Sequence, residues 1–330
     1  MEKTFRPQTV QLTDDTIYRN NKHLLQWKES GKSIQRNGQY SRFPDYKNIE
    51  YPWVDEDSAR SVAHWGQRKL LLSEVEFLSK FSSPGDRVIY IGGAPGVHIG
   101  LLAEFFNDIQ FILFDPAEFS AELYNHPNVE IRQQLFTTTD SFRYKDVLLI
   151  SDIRTADTDR EERSIVEEKI VQDMRLQEHI YNVLKPKKAL LKFRLPYYYV
   201  PTVAEKYKGK FEYLDGDVYL QAYSRKRSTE TRLVPNGQVK VWDLKNYQDA
   251  LYDFNYRRRV EFYKHPTIEG LDACYDCMTE YTILNEYSKL YEGVGSANEL
   301  SQKINGFLSN GRYNPLTRPD TLGQKRIQHD

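Results

Sequence analysis

The feature that most constrains the fold of this chain is a glycine-rich turn that joins an apolar strand to a helix. Residues 87–91 read RVIYI, which is typical of a buried strand. The run GGAPG (92–96) follows at once, and residues 97–106 have the apolar spacing of a helix. Such a turn lets backbone amides and the helix N-terminus approach a ligand closely. The pattern therefore predicts an open α/β sheet that binds a ligand at the carboxyl edge of its strands.

Strands and helices alternate along the middle of the chain. Helical spacing predicts helices at 66–81 and 161–184. Almost continuously apolar runs predict strands at 110–114, 129–131, 146–151 and 188–193. Strands of this kind favour a parallel sheet that helices cover on both faces. The predicted fold class is therefore α/β, with a doubly wound, mainly parallel sheet.

The flanking parts of the chain have a different character. Tyr213 and residues 218–222 indicate antiparallel strands at one sheet edge. After about Pro235 the chain is predicted to be helical, at 244–263, 271–290 and 298–308. Polar composition predicts an extended N-terminal arm over 1–50 and a flexible tail over 311–330. One domain is expected over 51–310, with C-terminal helices from about residue 240.

Composition restricts the function classes without naming one. The net charge of −1 is not the strongly basic balance of most nucleic-acid-binding domains, although 24 Tyr side chains suit stacking on bases as well as a half-buried core. Basic runs at 225–227 and 257–259 could steer an RNA locally. Cys274 and Cys277 are the only cysteines, which is too few for a structural zinc site, so no metal is predicted. No apolar stretch approaches the length of a membrane span, so no membrane partner is expected.

The sequence around the glycine turn favours S-adenosylmethionine as the cofactor. The turn is not GxGxxG, and no Gly-Lys-Ser/Thr follows it, which argues against a dinucleotide or a nucleoside triphosphate. Asp115 ends the next predicted strand, where an acid can accept the ribose hydroxyls of an adenosine. The alternative is a tight turn with no ligand, in which Asp115 caps a helix.

Two charged residues are predicted at the same carboxyl edge. Asp152 follows the strand DVLLIS, and Lys192 lies near the end of KALLKF. Lysine is seldom buried without a partner, and an apolar setting favours the neutral amine that can act as a general base. The alternative is a lysine whose ammonium reaches solvent from the end of the strand.

Five short motifs carry a resemblance to a known family. They are GQRKLLL (66–72), VIYIGGAPGVHI (88–99), LISDIR (149–154), LKFRLPY (191–197) and ETRL (230–233). Over about 65–263 the chain resembles the poxvirus-type cap-specific mRNA (nucleoside-2′-O-)-methyltransferases, which are also the small regulatory subunits of the viral poly(A) polymerase. The resemblance implies a Rossmann-like fold that transfers a methyl group from S-adenosylmethionine. It also implies the acceptor, the ribose 2′-hydroxyl of the first transcribed nucleotide of capped viral mRNA, so that cap 0 becomes cap 1.

The resemblance also implies the positions of the site residues. A catalytic tetrad falls on Lys69, Asp152, Lys192 and Glu230, with Lys192 as the base or as the group that steers the hydroxyl. The residues expected to line the S-adenosylmethionine site are Gln67, Tyr90, Gly92, Gly93, Gly96, Asp115, Leu135, Phe136, Ile153 and Arg154. Those expected to contact the cap or the RNA are Tyr51, Trp53, Arg194, Tyr197, Tyr199, Gln248 and Asp249.

The chain departs from the family pattern at the cap pocket. The family holds the methylated guanine between two aromatic rings and bonds its edge with two acids. Tyr197 matches one ring, and Tyr51 or Trp53 is the candidate for the other. Tyr199 and Gln248 stand where the acids are expected, although Asp249 is adjacent. Each lost charged hydrogen bond is expected to weaken the preference for a methylated cap by about 1–3 kcal/mol.

The partners implied by the resemblance are capped RNA and the catalytic subunit of a viral poly(A) polymerase. The expected location is the host cytoplasm, in viral factories, and the virion. Two other functions stay open. The chain could be an RNA-binding processivity subunit of that polymerase, with or without methyl transfer, or a methyltransferase that acts on uncapped RNA or on a small molecule.

Overall fold

The computed structural model of the protein describes residues 65–158, 160–224, 227–255 and 275–308. Several predictions lie outside these residues: the N-terminal arm, Tyr51, Trp53, the domain boundaries near 51 and 310, Cys274 and the C-terminal tail. Within the described ranges no helix is long and apolar enough to cross a membrane. In the same ranges no group of three or more His, Cys, Asp or Glu side chains could hold a metal ion.

A seven-stranded sheet forms the centre of the fold. Its strands are β1 (Arg87–Ile91), β2 (Gln110–Phe114), β3 (Val129–Arg132), β4 (Leu148–Ser151), β5 (Lys188–Phe193), β6 (Lys210–Tyr219) and β7 (Thr231–Asp243). They lie in the order β3-β2-β1-β4-β5-β7-β6. The first five pair in parallel, whereas β7 is antiparallel to both β5 and β6. The predicted α/β class and the mainly parallel sheet are confirmed.

The chain places helices before, between and after the strands, including the crossover connections that parallel strands require. They are α1 (Trp65–Phe81), α2 (Ile99–Phe105), α3 (Thr138–Arg143), α4 (Arg163–Leu184), α5 (Pro201–Tyr207), α6 (Leu244–Asp253), α7 (Tyr275–Ser288) and α8 (Ala297–Leu308), with a short 3₁₀ helix at Ala121–Asn125. The long helix α4 ends at Leu184 and is capped by Lys185, whose φ of 49° is left-handed, and Pro186 follows. A left-handed residue followed by proline is a common way to end a helix.

The helix predicted from residue 244 begins at Leu244 in the structure, but the strand before it, β7, was not predicted. Pro235 lies inside β7, a strand of 13 residues. The run PNGQ (235–238) has the composition of a turn and hides the strand. The pairing of β6 with β7 shifts register between Leu214 and Gly216, opposite this proline. A bulge is one of the few places where a sheet accepts proline, which has no N–H to donate.

The chain divides into two compact units. Among the described residues, the first holds 65–80, 220–224, 227–228, 250–255 and 275–308. The second comprises Phe81–Tyr219 and Thr229–Asp249 and therefore holds the whole sheet except for its connection through 220–228. The core of the second unit lies along the strands, where Val88, Leu113 and Leu149 are fully buried.

A buried ion pair organises the first unit. Arg68 Nε on α1 donates to Glu280 Oε2 on α7 over 2.8 Å, and both side chains are almost fully buried. Tyr223 Oη donates to the same oxygen over 2.7 Å, and the Tyr223 amide donates to Asp276 Oδ1 over 2.8 Å. Because burying one member of such a pair alone is costly, these contacts tie α1 and α7 together.

Candidate active site

The glycine turn after β1 needs residues without side chains. Gly92 and Gly96 have φ values of 77° and 70°, in the left-handed region that favours glycine. A Cβ on Gly92 would lie 2.8 Å from the backbone nitrogen of Ile153 and 2.9 Å from the carbonyl carbon of Asp152. The segment after β4 therefore packs backbone to backbone against the turn, which brings two predicted parts of the site together.

Asp115 joins the glycine turn to the end of β2. Its Oδ2 accepts from the Ala94 amide over 3.1 Å, and its Oδ1 accepts from the Ala117 amide over 2.8 Å. A carboxylate oxygen has two lone-pair directions, so each oxygen could also accept from a ribose hydroxyl. The carboxylate thus has the position and the capacity that an adenosine ribose requires.

Three of the four predicted tetrad residues lie together at the carboxyl edge of the sheet. Lys192 Nζ is 3.1 Å from Asp152 Oδ1 and 3.7 Å from Glu230 Oε2. The three side chains are between 12% and 18% exposed, so they are shielded from solvent but still reachable. Lys192 is paired with acids and is not a lysine that merely reaches solvent. Lys69 and Gln67 lie on α1, in the first unit, so their part in the site stays a prediction.

Two arginines complete what we call the charged cluster, namely Asp152, Arg154, Lys192, Glu230 and Arg232. Arg154 Nη2 donates to Glu230 Oε2 over 3.1 Å. Arg232 Nη2 lies 2.6 Å from Asp152 Oδ1 and 3.7 Å from Glu230 Oε1. Each acid is thus shared among cations, and three cations face two anions.

Arg232 was missed at the sequence level, although a signal was there. It stands two residues after Glu230, and residues two apart on a strand share a face. In the sheet Arg232 is directly opposite Lys192 across the antiparallel pairing of β5 and β7. Once β7 is assigned correctly, the register alone brings Arg232 beside Lys192.

Burial and the neighbouring charges shift the pKa values of three members of the cluster. Burial would raise the pKa of Asp152, but Lys192 and then Arg232 outweigh it and hold that pKa below its usual value. Burial lowers the pKa of Arg154, and Glu230 only partly offsets this. Burial would lower the pKa of Arg232 too, but Asp152 and Glu230 raise it overall. Asp152 is therefore ionised at neutral pH and pairs with the cations around it.

The remaining predicted cofactor residues border the glycine turn or the neighbouring strand ends. Ile153 is buried beside Gly92, and Tyr90 is fully buried, with its hydroxyl 3.5 Å from His98 Nε2. Phe136 packs edge-on against Phe114, with ring centres 4.9 Å apart, whereas Leu135 is 69% exposed. The edge thus offers a glycine cradle, a carboxylate and an exposed apolar side chain. Those are the groups that a ligand with a ribose and an adenine needs.

The predicted cap residues near β5 are held mainly by the protein itself. Arg194 donates both terminal nitrogens to Glu167, over 3.1 and 2.6 Å, and lies 4.0 Å from the centre of the Tyr197 ring. Tyr199 packs against Tyr198, with ring centres 3.9 Å apart. Gln248 is fully buried and donates to the Pro196 carbonyl over 2.9 Å, and Asp249 accepts from Lys245 over 2.6 Å. Tyrosine rings are therefore the half-exposed groups of this segment, which we call the tyrosine segment (197–199).

The strand order, the glycine turn and the charged cluster define a Rossmann-like α/β protein of the methyltransferase class. The model of the family described as "Poly A polymerase regulatory subunit" matches residues 39–309, and the chain belongs to that family.

Relatives and solved structures give further likenesses. The chain is 30% identical over 223 residues to a "Cap-specific mRNA (nucleoside-2'-O-)-methyltransferase" of Fowlpox virus, covering 62% of this chain and 69% of that protein. A protein of the same name from Myxoma virus is 28% identical over 211 residues, or 56% of this chain and 57% of its own length. Spermidine synthase from Thermotoga maritima is 11% identical, over 60% of this chain and 65% of that one, with a TM-score of 0.29.

Proposed function

We propose that this chain transfers the methyl group of S-adenosylmethionine to the ribose 2′-hydroxyl of the first transcribed nucleotide of capped RNA, converting cap 0 to cap 1. The observation that carries the proposal is the position of Lys192. Its amine lies between Asp152 and Glu230, at the sheet edge that also holds the glycine turn. The names of the fowlpox and myxoma relatives support the same activity.

The chain's own residues account for the alignment that this reaction needs. S-adenosylmethionine supplies a methyl group that is already electrophilic, so the protein must place the hydroxyl oxygen in line with it. An ammonium has three N–H donors, so Lys192 can face Asp152 and Glu230 with two and the ribose oxygen with the third. In this arrangement Lys192 steers the hydroxyl. In the alternative role of base, its neutral amine takes the hydroxyl proton.

The residues that would hold the cofactor follow from the same edge. Gly92, Gly93 and Gly96 would present the backbone of the glycine turn to the cofactor, and Asp115 would accept its ribose hydroxyls. Leu135 and Phe136 would flank the adenine. Calorimetry measures the affinity for S-adenosylmethionine. Asp115→Asn is expected to lower this affinity more than Asp146→Asn, since Asp146 is an exposed acid at the opposite end of the sheet.

The test of the proposal is transfer of a labelled methyl group to three RNAs of one sequence: capped, uncapped, and capped with a 2′-deoxy first nucleotide. The proposal predicts label in the capped RNA and none in the 2′-deoxy RNA. Equal labelling of all three would overturn it. Equal labelling of capped and uncapped RNA, with none in the 2′-deoxy RNA, would support ribose transfer but contradict the dependence on the cap.

A second function is favoured by the family to which the chain belongs. We infer that it also binds the catalytic subunit of a viral poly(A) polymerase in the host cytoplasm, within viral factories, and that it is carried in the virion. Co-purification with that subunit and tail-length assays test the partnership, and fractionation of infected cells and virions tests the location. A Lys192→Ala chain that still lengthens tails would show that the two activities are separate.

A further inference from the structure

One face of α4 carries buried polar side chains that the reaction itself does not use. Glu167, Asp173 and Gln177 are 2%, 5% and 2% exposed, and they alternate with the buried apolar residues Ile170 and Met174. These spacings place all five on one side of the helix. Burying a polar group is unfavourable unless it is hydrogen-bonded, so the partners of these residues reveal the role of this face.

Each of the three polar side chains bonds a segment that carries residues of the candidate site. Asp173 accepts from the Thr155 amide at Oδ2 over 2.9 Å and from the Thr155 hydroxyl at Oδ1 over 2.8 Å. Gln177 Nε2 donates to the Lys192 carbonyl over 3.1 Å. Glu167 accepts from Arg194 and, over 2.8 Å, from the Tyr197 amide.

Asp173 is the contact that bears most directly on the charged cluster. Residues 152–155 form no helix or strand. The Asp152 amide still donates to the Ile91 carbonyl of β1 over 2.9 Å, whereas residues 153–155 lie beyond the sheet. On one side this segment lies against Gly92, and on the other Asp173 holds Thr155 by two hydrogen bonds. Asp152 and Arg154 lie between these two supports.

We propose that α4 positions two segments separately, the catalytic segment (152–155) and the RNA-recognition segment (194–197). Asp173 is the positioning residue for Asp152 and Arg154, and Glu167 is the positioning residue for Arg194 and Tyr197. The assignment of the two segments to catalysis and recognition rests on the proposed function. A displacement of a catalytic group by about 1 Å lowers the rate roughly 100-fold, so a loosened segment affects turnover even when the fold persists.

The first test compares Asp173→Asn, Glu167→Gln and the control Asp86→Asn by kcat and by KM for capped RNA. Asp86 is a buried acid of the same unit that accepts from the Ser83 amide over 2.9 Å and from Lys187 Nζ over 2.5 Å, at the amino end of β1. Asp173→Asn is expected to lower kcat roughly 10- to 100-fold with little change in KM, because it acts on alignment. Glu167→Gln is expected to raise KM with little change in kcat, and Asp86→Asn to change neither.

Thr155 provides a milder pair of variants in case Asp173→Asn does not fold. Thr155→Val removes the hydroxyl that Asp173 Oδ1 accepts from, whereas Thr155→Ser keeps it. The valine variant should lose kcat and the serine variant should retain it. Equal kcat in the two variants would overturn the positioning role. It would also be overturned if every variant lowered kcat and raised KM together, in proportion to its loss of thermal stability.

Hydrogen exchange separates this proposal from the proposed function. Asp173→Asn should speed amide exchange at 153–157 but not at 194–198, and Glu167→Gln should do the reverse. This readout needs no methyl transfer. If the wild-type chain shows no transfer, the proposed function fails while the exchange pattern still decides the positioning; exchange that rises equally in both segments for either variant contradicts it.

Discussion

The charged cluster and the tyrosine segment both border the end of β5 but use their charges differently. In the cluster, Lys192 and Arg232 share Asp152 and Glu230 at an edge where the lysine stays reachable. Beside the tyrosine segment, Arg194 pairs with Glu167 and Lys245 pairs with Asp249. The half-exposed groups of the segment itself are aromatic rings. With the function proposed above, this difference predicts that methyl transfer depends on charge, whereas recognition of the cap depends mainly on stacking.

The largest effect is expected from Asp152→Asn. The change removes the acid that both Lys192 and Arg232 contact, so the lysine loses its alignment and methyl transfer should fall by about 100-fold or more. Single-turnover transfer to capped RNA measures this loss. The matched control is Asp146→Asn, at the exposed amino end of the same strand. A loss of equal size in both variants would show that the cluster has no special part in the reaction.

A smaller effect is expected from Arg232→Met. Without this guanidinium, Asp152 and Glu230 draw Lys192 more strongly toward themselves, and kcat should fall by roughly 10-fold. Removing one partner of a buried ion pair should also lower the free energy of unfolding by about 3 kcal/mol. Chemical denaturation and steady-state kinetics measure the two quantities, with Arg87→Met as the control. Unchanged kcat would confine Arg232 to a structural role.

The tyrosine segment should respond to an added charge only modestly. Tyr199→Asp supplies an acid next to Tyr197, and it should raise the preference for a methylated over an unmethylated cap about fivefold, since one charged hydrogen bond contributes about 1 kcal/mol or more. Tyr199→Asn has a neutral side chain of the same size as aspartate and should not change this preference. Competition binding with the two cap analogues gives the ratio. The same gain in both variants would mean that loss of the ring, and not charge, sets selectivity.

The smallest effect concerns stability against pH. Because the pKa of Asp152 is lowered in the folded chain, its ion pairs stabilise the fold above its usual pKa of 3.8, and this contribution is lost as pH falls through the lower folded value. The free energy of unfolding should therefore fall on acidification below about pH 4. The difference between the wild type and Asp152→Asn should shrink over the same range. A difference that stays constant from pH 7 to pH 2 would contradict the ion-pair assignment.

Local patterns predicted the parts of the molecule that depend on local physics. The apolar runs of β4 and β5 placed Asp152 and Lys192 at one edge, since parallel strands share their carboxyl ends. β7 was missed because its PNGQ run looks like a turn, and Arg232 was missed with it. The pairs Asp173–Thr155 and Arg68–Glu280 join residues 18 and 212 positions apart, and no local pattern specifies such partners.

The role of Lys192 in methyl transfer is tested most directly by single-turnover transfer with Lys192→Ala, with Lys188→Ala as the control on the same strand. Lys188 lies at the exposed start of β5 and contacts the Phe81 ring, away from the acids that hold Lys192. We expect Lys192→Ala to lose transfer to capped RNA by about 100-fold or more, while Lys188→Ala keeps it. Full transfer by folded Lys192→Ala protein would show that Lys192 neither steers nor deprotonates the ribose hydroxyl.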